Sequence, residues 1–199
     1  MIEFTGFRWV PEYIQGFVKD LPLRWACEEA GLAYKMRLLD FADLHTDEYR
    51  RLHPFEQVPA MIDGPLELFE TGSILLHLAE KAPWVLQGGG LPRTRTWVFA
   101  ALTSVEPYVA AYFNTPNASV EDLMTMLTRL NKWMKGRQYL ESTFSVGDIM
   151  MAFVLRNLVE PGLLGEFPDL EAYHRRCEER PAFRRAYSAH MDSFEGKNV

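Results

Sequence analysis

Cysteine is scarce: Cys27 and Cys177 are the only two, far apart and outside any CxxC pair. That excludes a disulfide framework and a cysteine-rich zinc site, and a reducing compartment fits best. The five histidines (His45, His53, His77, His174, His190) show neither HxxxH nor HExxH spacing, so no metal is expected. No apolar run approaches the roughly 18 to 20 residues of a membrane span, because charges interrupt every candidate. The start, Met1-Ile2-Glu3-Phe4, lacks the basic-then-apolar pattern of a secretory signal, which makes a cytoplasmic location the expectation. A basic excess is missing as well. The formal net charge of −6 argues against nucleic acid as the main partner, since phosphate binding needs a basic face.

What is present is an ordinary globular balance, with 48% hydrophobic and 24% charged residues over 199 positions, enough for one large domain or two small ones. The pattern changes character near residue 83. Before it, Ile2–Phe7 and Tyr34–Leu39 read as strands, and Leu21–Ala30 reads as a helix with Asp20 as cap and Gly31 as stop. A helical turn covers about Asp47 to Leu52. Ala60-Met61-Ile62 and Glu67-Leu68-Phe69 then bracket the turn signal Asp63-Gly64-Pro65. A helix from about Gly72 to Lys81 follows, with Thr71 placed to cap it. The order is β-α-β-α-β-β-α, which allows a parallel β1/β2 pair and requires an antiparallel β3/β4 pair.

This gives residues 1–82 as an α/β domain, 83–92 as a breaker-rich linker and 93–199 as an all-helical domain. In the last of these, Thr94 to Phe113 reads as one long helix ended by Asn114-Thr115-Pro116. Val120, Leu123, Met124, Leu127, Leu130 and Met134 follow the helical period. Further helices start at Ser145 and cover about Leu170–Arg180 and Ala182–Met191.

Three short stretches have a physical reading. Gln57-Val58-Pro59-Ala60 enters the third strand; with a cis bond before Pro59, Val58 offers its N–H and C=O to an extended peptide, as an added strand would use them. Taken alone, it is more simply a strand that starts at a proline. Glu70-Thr71-Gly72-Ser73 opens a helix whose free amides attract a carboxylate, while Glu70 accepts an ammonium; together they suit an α-amino acid head group. Taken alone, it is a helix cap with an acidic neighbour. In Phe144-Ser145-Val146-Gly147-Asp148-Ile149, Ser145 and Asp148 form a capping box, and Phe144 and Ile149 a staple, which serve folding.

With Phe69-Glu70-Thr71-Gly72-Ser73-Ile74-Leu75 and Arg180-Pro181-Ala182-Phe183 in the same order, these stretches make the chain resemble the cytosolic glutathione transferase family, as a bacterial-type member of no assigned subclass. The resemblance implies an α/β thioredoxin-like N-terminal domain, an all-α helical-bundle C-terminal domain and a homodimer. It implies that Val58, before a cis Pro59, pairs with the cysteinyl backbone of glutathione. Glu70 and Thr71 would hold the γ-glutamyl end, with Gln57 near the same tripeptide. Glu56 departs from the pattern, because the family commonly has glycine there.

Transferases of this kind ionise the glutathione thiol and direct it at an electrophile. A free thiol has a pKa of about 8.5, so lowering it by about two units needs ~2.7 kcal/mol of thiolate stabilisation. The family supplies a Tyr, Ser or Cys near the start of the first helix. Here Lys19-Asp20-Leu21-Pro22 stands in that place, leaving Tyr13, Lys19 and the first backbone amides of the helix as alternatives. Cys27 reads as a core residue. Trp9, Tyr108, Tyr112 and Phe113 are candidate lining residues of an apolar acceptor site between the domains. The implied activity is glutathione attack on a small hydrophobic electrophile, by conjugation or glutathione-dependent reduction, with glutathione as co-substrate. The alternative is a non-catalytic binding or assembly module of the same fold.

Overall fold

The structure, a computed structural model, describes residues 1–115 and 119–194. Two compact units emerge: one comprises Met1–Leu78 together with the chain from Pro181 on, the other Ala79–Arg180.

The first unit is a thioredoxin-like α/β layer. Strands β1 (Ile2–Phe7), β2 (Tyr34–Leu39), β3 (Ala60–Asp63) and β4 (Leu66–Phe69) form one mixed sheet in the order β2-β1-β3-β4. β1 and β2 run parallel around helix α1 (Leu21–Ala30), whereas β3 is antiparallel to both β1 and β4. Helices α2 (Asp47–Leu52) and α3 (Thr71–Lys81) follow β2 and β4. The central strand β1 buries Ile2, Phe4 and Thr5, as a strand covered on both faces must. Gly31 takes the left-handed conformation (φ 63) and ends α1, as expected of a C-terminal glycine.

Two expected caps differ. Asp20 precedes α1 but its side chain makes no cap hydrogen bond, because buried Arg24 and His190 claim its carboxylate. Thr71 is the first residue of α3 rather than its cap: the C=O of Glu70 receives the first helical bond, from Ile74 N–H at 3.0 Å.

The sequence groups 93–199 in one helical domain, but helix α10 (Pro181–Asp192) belongs with the first unit. Its buried face, Ala182, Phe183, Ala186 and His190, lies against α1, with the Phe183 ring edge-on to Trp25 at 4.8 Å. Such aromatic pairs contribute about 0.5–1.5 kcal/mol beyond the area they bury.

In the second unit the expected linker is partly ordered. Helix α4 (Pro83–Leu86) occupies it, and the Gly88 carbonyl accepts the hydroxyls of Ser142 and Thr143 and the Thr143 amide. The long helix is interrupted: α5 (Leu91–Phe99) and α6 (Glu106–Asn114) are joined by a π turn at Ala100–Val105. Pro107 has no N–H to continue the α ladder, and the Glu106 amide reaches back five residues to Ala101. Pro116, expected to end this segment, lies outside the described residues.

Helix α7 (Val120–Met134) buries Leu123, Leu127, Leu130 and Met134, while Val120 is exposed. Helix α8 (Val146–Arg156) is buried from Val146 through Leu155, which explains its apolar run Ile149-Met150-Met151-Ala152-Phe153-Val154-Leu155. Its Ser145/Asp148 capping box is formed. Helix α9 (Pro168–Glu178) starts two residues before the expected Leu170, because Pro168 is suited to a first helical position. Among the described residues, no helix is long and apolar enough to cross a membrane.

Candidate functional site

The Val58–Pro59 bond is cis. Among the described residues, neither the N–H nor the C=O of Val58 takes a hydrogen bond, so a peptide edge stands open at the start of β3. Buried hydroxyls on both sides hold this edge in place. Tyr49 Oη on α2 donates to the Gln57 carbonyl at 2.7 Å, and the Ala60 amide donates to Thr5 Oγ1 at 2.8 Å. The two hydroxyls are 2.9 Å apart. Because the one proton of Tyr49 goes to Gln57, Thr5 is the donor between them. Burial raises the Tyr49 pKa, with the Thr5 hydrogen bond acting the other way, so the phenol stays a donor at neutral pH.

The second feature is the start of α3. Glu70 is exposed and adopts the left-handed conformation (φ 69), which is uncommon for a residue with a side chain and costs on the order of 1–3 kcal/mol. Thr71 and Gly72 are buried, and among the described residues their amides take no hydrogen bond. Behind Glu70 lies buried His53, 5.0 Å from the Phe69 ring. His53 Nδ1 accepts the Phe55 amide at 3.3 Å, which leaves the proton on Nε2. Burial lowers the His53 pKa and the charge of Glu70 opposes that shift, so the ring is neutral near pH 7.

A model of the glutathione S-transferase N-terminal domain matches residues 17–80. Glutathione S-transferase GST-4.5 of Xanthomonas campestris is 26% identical over 174 residues, covering 77% of this chain and 83% of that protein. Disulfide-bond oxidoreductase YfcG of Escherichia coli is 26% identical over 183 residues, covering 78% and 83%. Among solved structures, a glutathione transferase from Pseudomonas putida, with one glutathione disulfide bound per subunit, superimposes with a TM-score of 0.75. It is 25% identical, and the match covers 94% of this chain and 90% of that one. The chain thus resembles glutathione S-transferases, with their N-terminal domain matched over residues 17–80.

The departure from the family at Glu56 has a structural reading. Its φ is 55, in the left-handed region that favours glycine. The carboxylate is not left facing the open edge alone, since Arg50 Nε and His45 Nδ1 each approach it at 2.5 Å. Those partners lower the Glu56 pKa, the Arg50 hydrogen bond being the larger cause, and they offset its repulsion of an anionic ligand.

The remaining sequence candidates are scattered. Tyr13, in a 3-10 turn at Glu12–Ile14, is 80% exposed and makes no hydrogen bond among the described residues. Lys19 is half-buried, and Trp9 is exposed. The charge expected at Asp20 is already met by Arg24 Nε at 2.7 Å and His190 Nδ1 at 3.2 Å. Cys27 is buried in α1, a core residue. Tyr108, Tyr112 and Phe113 lie on α6 in the second unit, with Tyr108 and Phe113 exposed and Tyr112 edge-on to Phe113 at 5.0 Å.

Sequence reasoning missed Thr5, Tyr49 and His53, which lie behind the open edge and the start of α3. A polar residue inside the apolar β1 and a lone aromatic in Asp47-Glu48-Tyr49-Arg50-Arg51-Leu52 were the available signals. Among the described residues, no group of three or more His, Cys, Asp or Glu side chains is gathered as a metal site needs.

Proposed function

We propose that this chain binds glutathione, with Val58 pairing the cysteinyl backbone, Glu70 and Thr71 taking the γ-glutamyl end, Gln57 alongside and Pro59 shaping the edge. The supporting observation is the open Val58 backbone, held at both flanks by the buried Thr5–Tyr49 pair. Two antiparallel-type hydrogen bonds at Val58 orient the cysteinyl residue. The free amides at Thr71 and Gly72 receive the α-carboxylate and the Glu70 carboxylate receives the ammonium.

The thiol then serves as nucleophile or reductant toward a small hydrophobic electrophile. One relative named a transferase, another named a disulfide-bond oxidoreductase and a third solved with glutathione disulfide support both conjugation and reduction. One hydrogen bond to the thiolate contributes about 1.5–3 kcal/mol, against the ~2.7 kcal/mol needed, so a single donor suffices. Tyr13, Lys19 and the first α1 amides are the donors proposed. Tyr13 acts only if its loop folds inward. We place the protein in the cytoplasm as a homodimer, as the family resemblance implies, with Trp9, Tyr108, Tyr112 and Phe113 as acceptor-site candidates.

A second reading, a glutathione-binding module without turnover, is favoured by the solvent-facing Tyr13. Calorimetry decides the first step: glutathione binds at sub-millimolar concentration, and absence of binding at millimolar ligand rejects both readings. Spectral titration of the bound thiol decides the second, because catalysis requires a pKa well below the free value. Tyr13→Phe and Lys19→Ala, made separately, test the donors; unchanged turnover in both leaves the backbone amides.

A further inference from the structure

The pairing of β3 sets the direction of a peptide on the open edge. β3 and β4 are antiparallel with Ala60 opposite Phe69, and one more step of that register brings Pro59 beside Glu70. A tripeptide with its cysteinyl unit on Val58 and its γ-glutamyl end at Glu70 therefore runs antiparallel to residues 57–59. Its glycyl end passes Gln57 and comes to Glu56. Free glutathione carries its second carboxylate there, so this end of the groove asks for a cation.

Two cationic side chains stand against Glu56, and both are already engaged. Arg50 Nε meets Glu56 Oε1 at 2.5 Å, and its Nη1 meets Asp47 Oδ1 at 3.1 Å. His45 Nδ1 meets the other Glu56 oxygen at 2.5 Å. The Glu56 side chain is the least exposed of the three, 29% against 46% for Arg50 and 64% for His45, so it sits inside the cluster and not at its rim. With Asp47 and Glu56 set against Arg50, the cluster carries one net negative charge when His45 is neutral and none when it is protonated. In neither form is a positive charge left over. A glycine, which the left-handed backbone at this position favours, would instead leave both cations facing the groove.

We infer that Glu56 is a specificity-determining residue: its carboxylate takes the place of the glycyl carboxylate on Arg50 and His45, so the groove prefers a tripeptide whose C-terminus is an uncharged carboxamide to free glutathione. This rests on the glutathione reading above and names the ligand class at the end of the groove away from α3. A carboxamide brings no charge to be repelled, and its N–H donates to a Glu56 oxygen, each of which accepts more than one hydrogen bond. A carboxylate meets a like charge, and displacing Glu56 to reach the cations breaks both of its ion pairs at once.

Calorimetry with two probes, glutathione and its C-terminal carboxamide, supplies the test, and the ratio of the two affinities is the readout. The unaltered chain binds the carboxamide severalfold more tightly. Glu56→Gly suits the φ of 55 and uncovers Arg50 and His45, so it strengthens glutathione binding about tenfold while the carboxamide does not gain. Glu56→Gln keeps the size and removes the charge, moving the ratio in the same direction. Adding Arg50→Ala to Glu56→Gly takes most of the gain away. Should Glu56→Gly fail to fold, Glu56→Gln decides. A ratio unmoved by the Glu56 variants, a gain that survives Arg50→Ala, or an unaltered chain that prefers the free acid overturns the inference while the glutathione reading stands. An unaltered chain that binds neither probe overturns both.

Discussion

Tyr49 is the hydroxyl through which α2 reaches the open edge of the sheet. Tyr49→Phe keeps the ring and its volume but leaves the Gln57 carbonyl without its donor, a loss of about 1–3 kcal/mol of stability. The expected outcome is a lower urea midpoint and severalfold weaker glutathione binding, because Val58 is one residue beyond the released carbonyl. Unchanged affinity would show that the edge keeps its place without Tyr49. Glu70 acts directly on the ligand in the proposed pose. Glu70→Gln preserves size and the left-handed backbone demand while removing the charge, so calorimetry should show about tenfold weaker glutathione, in line with the loss of one charge-assisted hydrogen bond. The same substitution should leave the melting temperature nearly unchanged, since the side chain is exposed. The positions of the proposed anchors were legible from local sequence because each is a backbone feature set by a proline or a helix start. Thr5 and Tyr49 were not, since 44 residues separate them and only the folded sheet brings them together.

Among the elements, the start of α8 shows the most concentrated local order. Asp148 accepts from Ser145 N–H at 2.9 Å, Ser145 Oγ at 3.1 Å, Leu140 N–H at 2.9 Å and Tyr173 Oη at 3.1 Å. Asp148→Asn turns one acceptor into a donor facing these donors, at a cost of about 2–3 kcal/mol. Burial pushes the Asp148 pKa up to about 6, with the hydrogen bonds from Leu140, Tyr173 and Ser145 acting in the opposite direction. A raised carboxyl pKa means that the folded chain binds this proton more readily than the unfolded one. The contribution of Asp148 is thus greatest below its unfolded pKa and is lost as pH rises through about 6. Asn does not titrate, so the stability gap between the unaltered chain and Asp148→Asn should widen by about 1 kcal/mol from pH 7 to about pH 5, read from urea unfolding at each pH. A gap that narrows would reverse the sign assigned to Asp148. The capping box was readable because its members are three residues apart. The π turn at Ala100–Val105 was not, because periodicity over Thr94 to Phe113 continues through it and only the missing amide of Pro107 marks the shift.

At the scale of the whole molecule, α10 packs in the first unit against α1, far from it in sequence. A composition change near residue 83 marks where strands give way to helices, and that much is visible in one dimension. It does not say that the last helix returns, because the amphipathic face of α10 fits any apolar partner. The choice is made by Trp25 against Phe183 and by Asp20 and Arg24, whose buried charges find their remaining partners at Ala189, His190 and Ser193. A fragment of residues 1–82, cut where sequence composition suggests, would open the α10-facing side of Trp25 to water and leave a buried ion pair half solvated. Its expected state is expanded, without a cooperative thermal transition and with weak near-ultraviolet circular dichroism. Joining residues 181–194 to its C-terminus through a flexible linker should restore a sharp transition, since the Asp20 and Arg24 contacts then close within one chain. A sharp, reversible melt of the 1–82 fragment alone would mean that α10 only decorates a unit already able to fold.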